Sequence, residues 1–450
     1  MEPSEPIPAT LFGLDPLWLS TAILVVSYAT IMTERVNRAI VALIGAGVMV
    51  LSGVLDQKRA IGGEDFNTIA LLIGMMLLVA QSKRSGMFQY MAVWSAKVAR
   101  GNPWAILVLL SLVTAAVSAL LDNVTTVLLI APVTLVITEQ LKIPAYPFLF
   151  TEILASNIGG TATLIGDPPN IIIGSATGLT FNDFVVNLAP VIVVVLAAQL
   201  LINHAIWGRK MKVDAEARAR VLAFAPREAI ADRALLRKSL LVLGLVILAF
   251  ILAHQIRLEP GTIALSGAAL LLLLDNIGRP AEEQSHRIHE IFGEVEWITI
   301  FFFVGLFAIV AGVEHAGLLS LLADELARVT GGDLAVTAIA ILWSSAVLSA
   351  VIDNIPFVAT MIPVIKNMAP VFGGPEGLLP LWWSLSLGAC LGGNGTLIGA
   401  SANLTVAGIA ERAGVQFRFV PFLLLAFPMM LMSIVISTIY VYLRYLTVGG

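Results

Sequence analysis

Runs of about twenty apolar residues recur along this chain from end to end, and they limit its fold more than any other feature. They occupy 18–33, 37–54, 188–207, 238–256, 261–275, 297–313 and 419–443. A helix needs about 20 mostly apolar residues to cross the hydrocarbon of a bilayer. Apolar types make up 58% of the chain and charged types 12%, where a soluble domain carries roughly a quarter charged residues. A soluble fold of 450 residues cannot cover itself with so few polar side chains. The expected solvent is therefore lipid, and the expected class is an all-α polytopic membrane protein. The acidic opening MEPSEPIPATLFGLDP lacks a basic leader, so no cleaved signal peptide is expected. The longest polar stretch, 208–238, is too short for a soluble catalytic domain, so no enzyme activity is expected. A single cysteine, Cys390, leaves no intrachain disulfide and no cysteine metal cluster. No cofactor, no metal and no nucleic-acid partner is expected.

Loops rich in Lys and Arg stay in the cytoplasm. That rule puts the loop after 207, the turn with Arg35 and Arg38, and the segment 83–100 inside. It puts the acidic segment 314–333 and the N-terminus outside, and only the loop with Lys58 and Arg59 goes against it. These placements require 104–140 and 334–369 to enter and return on one side, as re-entrant hairpins. Irregular backbone at membrane depth is tolerated where protein or a water-filled cavity surrounds it. The expected count is ten spans plus two hairpins, in a bacterial inner membrane.

The halves of the chain align on each other. AVSALLDNVTTVLLIAPV (116–133) matches VLSAVIDNIPFVATMIPV (347–364) at an offset of 231, and FNTIALLIGMML (66–77) matches WITIFFFVGLFA (297–308) at the same offset. GGTATLIGDPPN (159–170) matches GGNGTLIGASAN (392–403) at 233, and Gly86 and Gly317 fall in step. The charge map puts Phe66 outside and Trp297 inside, so the repeats are inverted. Inverted repeats are an architecture of secondary transporters, with the site at broken helices near the midplane. The expected division is a first repeat over 1–207 (hairpin 104–140, broken helix 147–180), a cytoplasmic linker over 208–237, and a second repeat over 238–450 (hairpin 334–369, broken helix 379–410).

Two constellations carry chemistry. The first is Ser118, Asp122, Asn123, Thr125 and Thr126, with its mate Ser349, Asp353, Asn354 and Pro356. Asp and Asn suit a hairpin turn, which explains the asparagines. An ionised carboxylate at membrane depth costs about 2.5–3.5 kcal/mol on insertion scales, and two at equivalent positions point to proton or cation binding. The second is Gly159, Gly160, Thr161 and Thr163 through Asp167, with Gly392, Gly393, Asn394 and Thr396 through Asn403. Paired Gly and Pro break a helix and free amides and carbonyls for a ligand; helix packing alone is the competing explanation. Ser156 and Asn157 lie just before the first break, and Glu152 in the span leading to it is a candidate proton relay. Trp207, Trp382, Trp383, Tyr440 and Tyr442 read as interfacial anchors. No Lys or Arg occurs in 104–134, 151–175, 343–365 or 384–405. That balance suits a neutral or cationic solute moved against protons. No nucleotide-binding motif is present, so the drive is an ion gradient or an ATPase partner.

LLDNVTTVLLIAPVT (120–134), SNIGGTATLIGDPPNIII (156–173) and VIDNIPFVATMIPV (351–364) resemble the ion transporter superfamily, and within it the branch of bacterial arsenite efflux pumps and the melanosomal P protein. The resemblance covers nearly the whole chain. It implies a scaffold and a mobile domain carrying hairpins and broken helices, elevator-type movement and a homodimer. In sodium-coupled dicarboxylate relatives a Ser-Asn-Thr sequence at each hairpin tip binds sodium. Here those positions read Asp122-Asn123-Val124 and Asp353-Asn354-Ile355, which suggests a proton in place of sodium. The leading expectation is proton-coupled efflux of arsenite or antimonite. Asn123, Thr126, Gly159, Gly160, Thr161, Thr163, Asn354, Gly392, Gly393, Asn394 and Thr396 would hold the solute. Asp122, Asp353, Ser118, Ser349, Asp167 and Glu152 would serve coupling. A sodium/proton antiporter and an organic or inorganic anion carrier are the alternatives. A soluble ATPase docking on 208–238 is a further possible partner.

Overall fold

The turn of each hairpin is set by one carboxylate. Asp122 caps the helix that follows it, accepting from Thr125 N at 2.9 Å, and Asp353 does the same for Ile355 N at 3.1 Å. Capping satisfies a donor that a helix start otherwise leaves unpaired, a need sharpened where lipid excludes water. The computed structural model describes residues 10, 13–33 and 35–447. The N-terminal segment 1–9, expected on the outer face, lies outside the described residues.

The first repeat comprises α1 (Pro16–Met32), α2 (Arg38–Leu51), α3 (Gln57–Gly62), α4 (Phe66–Lys83), α5 (Met87–Val98), α6 (Pro103–Ser118), α7 (Asn123–Leu141), α8 (Tyr146–Thr161), α9 (Pro168–Thr177) and α10 (Phe181–Asn203). A short α11 (Ala215–Leu222) lies in the connection. The second repeat comprises α12 (Arg233–Ile251), α13 (Ala253–Ile256), α14 (Pro260–Asn276), α15 (Ala281–Gly293), α16 (Trp297–His315), α17 (Leu318–Val329), α18 (Leu334–Val351), α19 (Asn354–Asn367), α20 (Leu379–Gly392), α21 (Ser401–Arg412) and α22 (Phe419–Val441).

Among the described residues seven helices are long and apolar enough to cross a membrane by length and composition. Two of these, α7 and α18, are hairpin arms. Connectivity gives the crossings: α1, α2, α4 and α10, with the broken pair α8–α9, make five in the first repeat. Their mates α12, α14, α16 and α22, with α20–α21, make five in the second. Five is odd, so the second repeat starts on the opposite face and the repeats are inverted.

Helices in lipid associate through close packing of small residues, and the repeats use the same glycines for it. A Cβ on Gly74 would stand 2.5 Å from the Ala264 backbone, and one on Gly305 2.4 Å from the Ala42 backbone. These contacts cross α4 with α14 and α16 with α2, which form the frame. Inside it, α8 and α20 are buried throughout, from Pro147 to Thr161 and from Pro380 to Gly392. Gly159 packs on Ala115 and Gly392 on Ala346, at the same offsets found in the sequence. Gly86 and Gly317, with φ of 82° and 91°, start α5 and α17 in a left-handed conformation that favours glycine.

The connection is more built than a plain linker. α11 packs on α7, and Arg220 donates from Nε and Nη2 to Gln140 O at 3.2 and 3.1 Å. α12 already starts at Arg233, so Arg237 and Lys238 lie on its first turns. Trp382 and Trp383 are not interfacial anchors: both are buried, and Trp383 packs edge-on against Phe184 at 5.3 Å. Their apolar run belongs to the central helix α20, which composition alone does not separate from a lipid-facing one.

Candidate functional site

Four chain breaks meet at the centre of the bundle: the two hairpin turns, the 162–167 break between α8 and α9, and the 393–400 break between α20 and α21. Each break ends at a helix start, with Asp122 and Asp353 capping α7 and α19 through their side chains and Asp167 at the first position before α9 without a side-chain cap bond. Helix N-termini carry partial positive charge, which suits a carboxylate there. At the fourth, α21, the capping position is Ala400.

The breaks are held by amides. Asn170 Nδ2 donates to Thr161 O and Thr163 O at 3.1 and 2.9 Å, and Asn403 Nδ2 donates to Gly393 O and Thr396 O at 2.8 Å each. These bonds satisfy carbonyls that the broken helices leave open. Asn157 joins the repeats: its Oδ1 accepts from Asn123 Nδ2 at 3.1 Å, and its Nδ2 donates to Asn394 Oδ1 and Asn403 Oδ1 at 2.9 Å. Asn170 Oδ1 accepts from Ser386 Oγ at 2.6 Å.

The hydroxyls expected to serve coupling (Ser118, Ser349) and to meet a solute (Thr126, Thr161, Thr163, Thr396) are occupied within the protein. Ser118 Oγ donates to Ser156 O at 2.7 Å, and its mate Ser349 to Ala389 O at 2.5 Å. Thr163 bonds Ala119 O and Thr396 bonds Ala350 O, again as mates. Thr126 Oγ1 donates to Asp122 O and Thr161 Oγ1 to Asn157 O. Gly160 and Gly393 lie against the carbonyls of Gly166 and Gly399, where a Cβ would stand 2.5 and 2.9 Å away. Together with Gly159 and Gly392 they are close-approach positions that bring the hairpins onto the breaks.

A cavity of about 30 Å³ remains open, its polar wall made by Asp122, Asn123, Asp167, Asn354, Glu296, Arg38, Thr299 and Ser401. Asp167 Oδ1 accepts from Asn354 Nδ2 of the other repeat at 3.3 Å, while its Oδ2 is buried without a partner. Asp122 is spent on Thr125, through both its backbone N and its hydroxyl. Arg38 is the group that sequence reasoning missed. Read there as a basic residue in a cytoplasmic turn, it reaches from α2 to the second hairpin. Its Nη1 donates to Asp353 Oδ2 at 2.8 Å and Ser401 Oγ at 3.0 Å, and its Nη2 to Thr299 Oγ1 at 3.0 Å. Its guanidinium also lies 5.2 Å from the Phe302 ring centroid, a cation–π contact. The segments free of Lys and Arg therefore do not make a site free of them. Its only sequence signal is an arginine opening an apolar helix, RAIVALIGAGVMVL. Glu296 was legible as the mate of Asp65 at offset 231. The Arg38–Asp353 pair also borders a second cavity, of about 270 Å³, lined by Ile31, Asn37, Val351 and Leu404. Glu152 is not in this cluster; it lies lower on α8, bonded by Thr134 Oγ1 at 2.5 Å.

The charge count follows. Arg38 is committed to Asp353, which leaves Asp122, Asp167 and Glu296 around the cavity. Grouped carboxylates in a small, amide-lined space can bind and release protons or hold a small cation.

Inverted repeats, two re-entrant hairpins and two broken helices that meet at one cluster define a membrane transporter. The chain belongs to the citrate transporter family, whose profile matches residues 28–388. It is 44% identical to an uncharacterized transporter of Mycobacterium tuberculosis over 431 residues, 95% of this chain and 98% of that protein. It is 39% identical to a 46 kDa membrane protein of Mycobacterium leprae, across 96% of this chain and 99% of the relative. The human P protein is 35% identical across 96% of this chain, which spans 60% of that longer protein. Among solved structures, the YdaH transporter of Alcanivorax borkumensis superposes with a TM-score of 0.60 over 97% of this chain and 99% of that one, at 16% identity. That likeness shows the fold, and the P protein match bears out the branch read from the DNVTT and GDPPN blocks.

Proposed function

We propose that this chain is a proton-coupled exporter of a small uncharged hydroxylated solute, arsenite or antimonite, in a bacterial inner membrane with its N-terminus outside. The observation that carries the reading is the cavity with Asp122, Asp167 and Glu296 in its wall and its one base held by Asp353. Protons loaded there neutralise the carboxylates, and an uncharged hydroxylated solute meets the amides of Asn123 and Asn354. Alternating access is elevator-type in this reading. The frame grips the bundle at Arg38–Asp353 and at Asp65, whose Oδ1 accepts from Ser175 Oγ at 2.8 Å, and both contacts break as the bundle moves.

Sodium/proton antiport is the second reading. A space of about 30 Å³ beside the unpartnered Asp167 Oδ2 has room for a small cation that keeps a water ligand. A citrate-like trianion, the substrate in the family's name, would face three carboxylates. The experiment is proton flux in proteoliposomes of purified protein, with arsenite, sodium and citrate added separately. Flux with arsenite alone supports the first reading, and flux with sodium alone replaces it with the second. Flux with citrate alone refutes both.

A further inference from the structure

Glu152 is a buried carboxylate that the central cluster does not use. It is 1% exposed on α8, one oxygen takes the Thr134 hydroxyl, and Oε2 has no partner. The repeat shows that the fold does not require a charge there. At the equivalent places the second repeat has Leu385 for Glu152 and Ile365 for Thr134, both fully buried. Asp167, likewise, has Ala400 as its mate. Among the broken helices and their starts, only the first repeat carries such carboxylates; the buried Asp275 of the second repeat lies on the frame helix α14, paired with Arg287.

The surroundings of Glu152 are polar in the same one-sided way. The neighbouring Thr151 accepts on Oγ1 from Asn203 Nδ2 at 3.0 Å, and its carbonyl accepts from Gln199 Nε2 at 3.4 Å. Gln199 Oε1 and Asn203 Oδ1 are buried and unpartnered, as is Glu152 Oε2. Glu152 meets α7 and Thr151 meets α10, so these open acceptors lie on adjacent faces of α8, and an open buried acceptor is a place for a bound water. Upward along α8, Ser156 is one turn from Glu152 on the same face, and its Oγ donates to Asn123 O at 2.9 Å, beside Asp122. Asn157, the centre of the amide cluster, is about 7.5 Å along the helix axis from Glu152.

We infer that Glu152 is a second proton-carrying group, placed between the cluster and the face at which α8 begins, and that it exchanges protons with Asp122 and Asp167. The inference rests on the proton-coupled reading above. When the cluster releases a proton, the Glu152 carboxylate takes it on Oε2 and becomes the acid. It then gives that proton to water on the Tyr146 side of α8 and returns to the carboxylate, so charge and protons balance in each passage. The helices packed on α8 offer no competing ion nearby. α6 has no ionisable side chain, α7 has only Glu139 at its exposed end, and α10 has Asp183 at the far end, bonded to Thr180. α20 has only Cys390, and α21 has Glu411 and Arg412, both exposed.

The test uses full-length protein in proteoliposomes, with sodium arsenite and sodium chloride as separate probes. Glu152→Gln and Glu152→Leu, the second copying the other repeat, are compared with wild type. The expected result is proton-driven flux reduced about tenfold or more with its pH profile moved, while counterflow of labelled arsenite or sodium persists. Unchanged flux and pH profile in both variants overturns the inference, as does an equal loss of flux and counterflow, which marks a structural role. Wild-type protein that moves no protons with either probe overturns the proton-coupled reading itself and this inference with it.

Discussion

Arg38 and Asp353 are 315 residues apart in sequence and 2.8 Å apart in space. The pair ties the first turn of a frame helix to the turn of the second hairpin. Its side chains are 24% and 16% exposed, so the partners are largely withdrawn from solvent. Removing one partner of such a pair strands the other, at a cost of about 2–5 kcal/mol. Arg38→Ala is expected to lower thermal stability by that cost. Arg38→Ala with Asp353→Asn is expected to recover part of the stability, because no charge is left unpaired. A double-mutant cycle followed by thermal unfolding in detergent checks it. Additive effects would mean that the pair is not coupled.

The glycines make a prediction about packing alone. A Cβ on Gly159 would stand 2.2 Å from Ala115 O, and one on Gly392 2.5 Å from Ala346 O. Neither neighbour is a side chain that can turn away. Gly159→Ala and Gly392→Ala are expected to cost about 1–3 kcal/mol. Gly244 and Gly408 lie in helices with nothing within 4 Å of the added atom. Alanine there is expected to be neutral or to stabilise by about 0.5–1 kcal/mol. Thermal unfolding of the four variants separates the two pairs.

The repeat was legible in sequence because the residues that match are those whose backbone geometry admits few substitutes. Asp122 and Asp353 cap, Gly159 and Gly392 allow close approach, and Asn170 and Asn403 bond the broken ends. Each occurs twice, so each could be recognised by its mate. What the sequence hid was any contact without a mate. Arg38 has no basic counterpart at the start of α14, where Glu259 precedes Pro260, and its reach to Asp353 depends on how frame and bundle dock. The roles of Thr126, Thr161, Thr163 and Thr396 were hidden for another reason. A hydroxyl type does not reveal whether a nearby carbonyl has already taken its proton, and here each has.

Outside the spans, Glu64 gives a pH dependence. It lies between α3 and α4, and partial burial raises its carboxyl pKa from 4.5 to about 7. Its Oε2 has no partner. A carboxyl pKa raised by folding means the folded state binds more protons than the unfolded one between those values. Stability therefore falls as pH rises from about 4.5 through about 7. Glu64→Gln removes the charge and is expected to raise the unfolding temperature at about pH 8, with the gain gone near about pH 4.5. A gain of equal size at both pH values would sink the explanation.

Asp122 and Asp167 face one cavity with unequal bonding, and that inequality predicts different mutants. Asp122 bonds the backbone N and the hydroxyl of Thr125, so it holds the start of α7 as well as a charge. The Asp167 side chain makes no bond to its own helix start, keeps Oδ2 unpartnered, and is replaced by Ala400 in the other repeat. Asp122→Ala is therefore expected to lose about 0.5–2 kcal/mol as a lost cap. Asp122→Asn keeps an acceptor for Thr125 and is expected to keep most of that stability. Asp167→Asn keeps an acceptor for Asn354 Nδ2 and is expected to be as stable as wild type or more so, because a buried carboxylate with an unmade bond is removed, whereas Asp167→Ala strands that amide and is expected to gain less. On the proton-coupled reading all four lose solute-driven proton flux. Stability in detergent and flux in proteoliposomes, measured on the same preparations, check the two halves of the claim. An Asp167→Asn protein that is stable and still pumps protons would take Asp167 out of the coupling site and leave Asp122 to carry it alone.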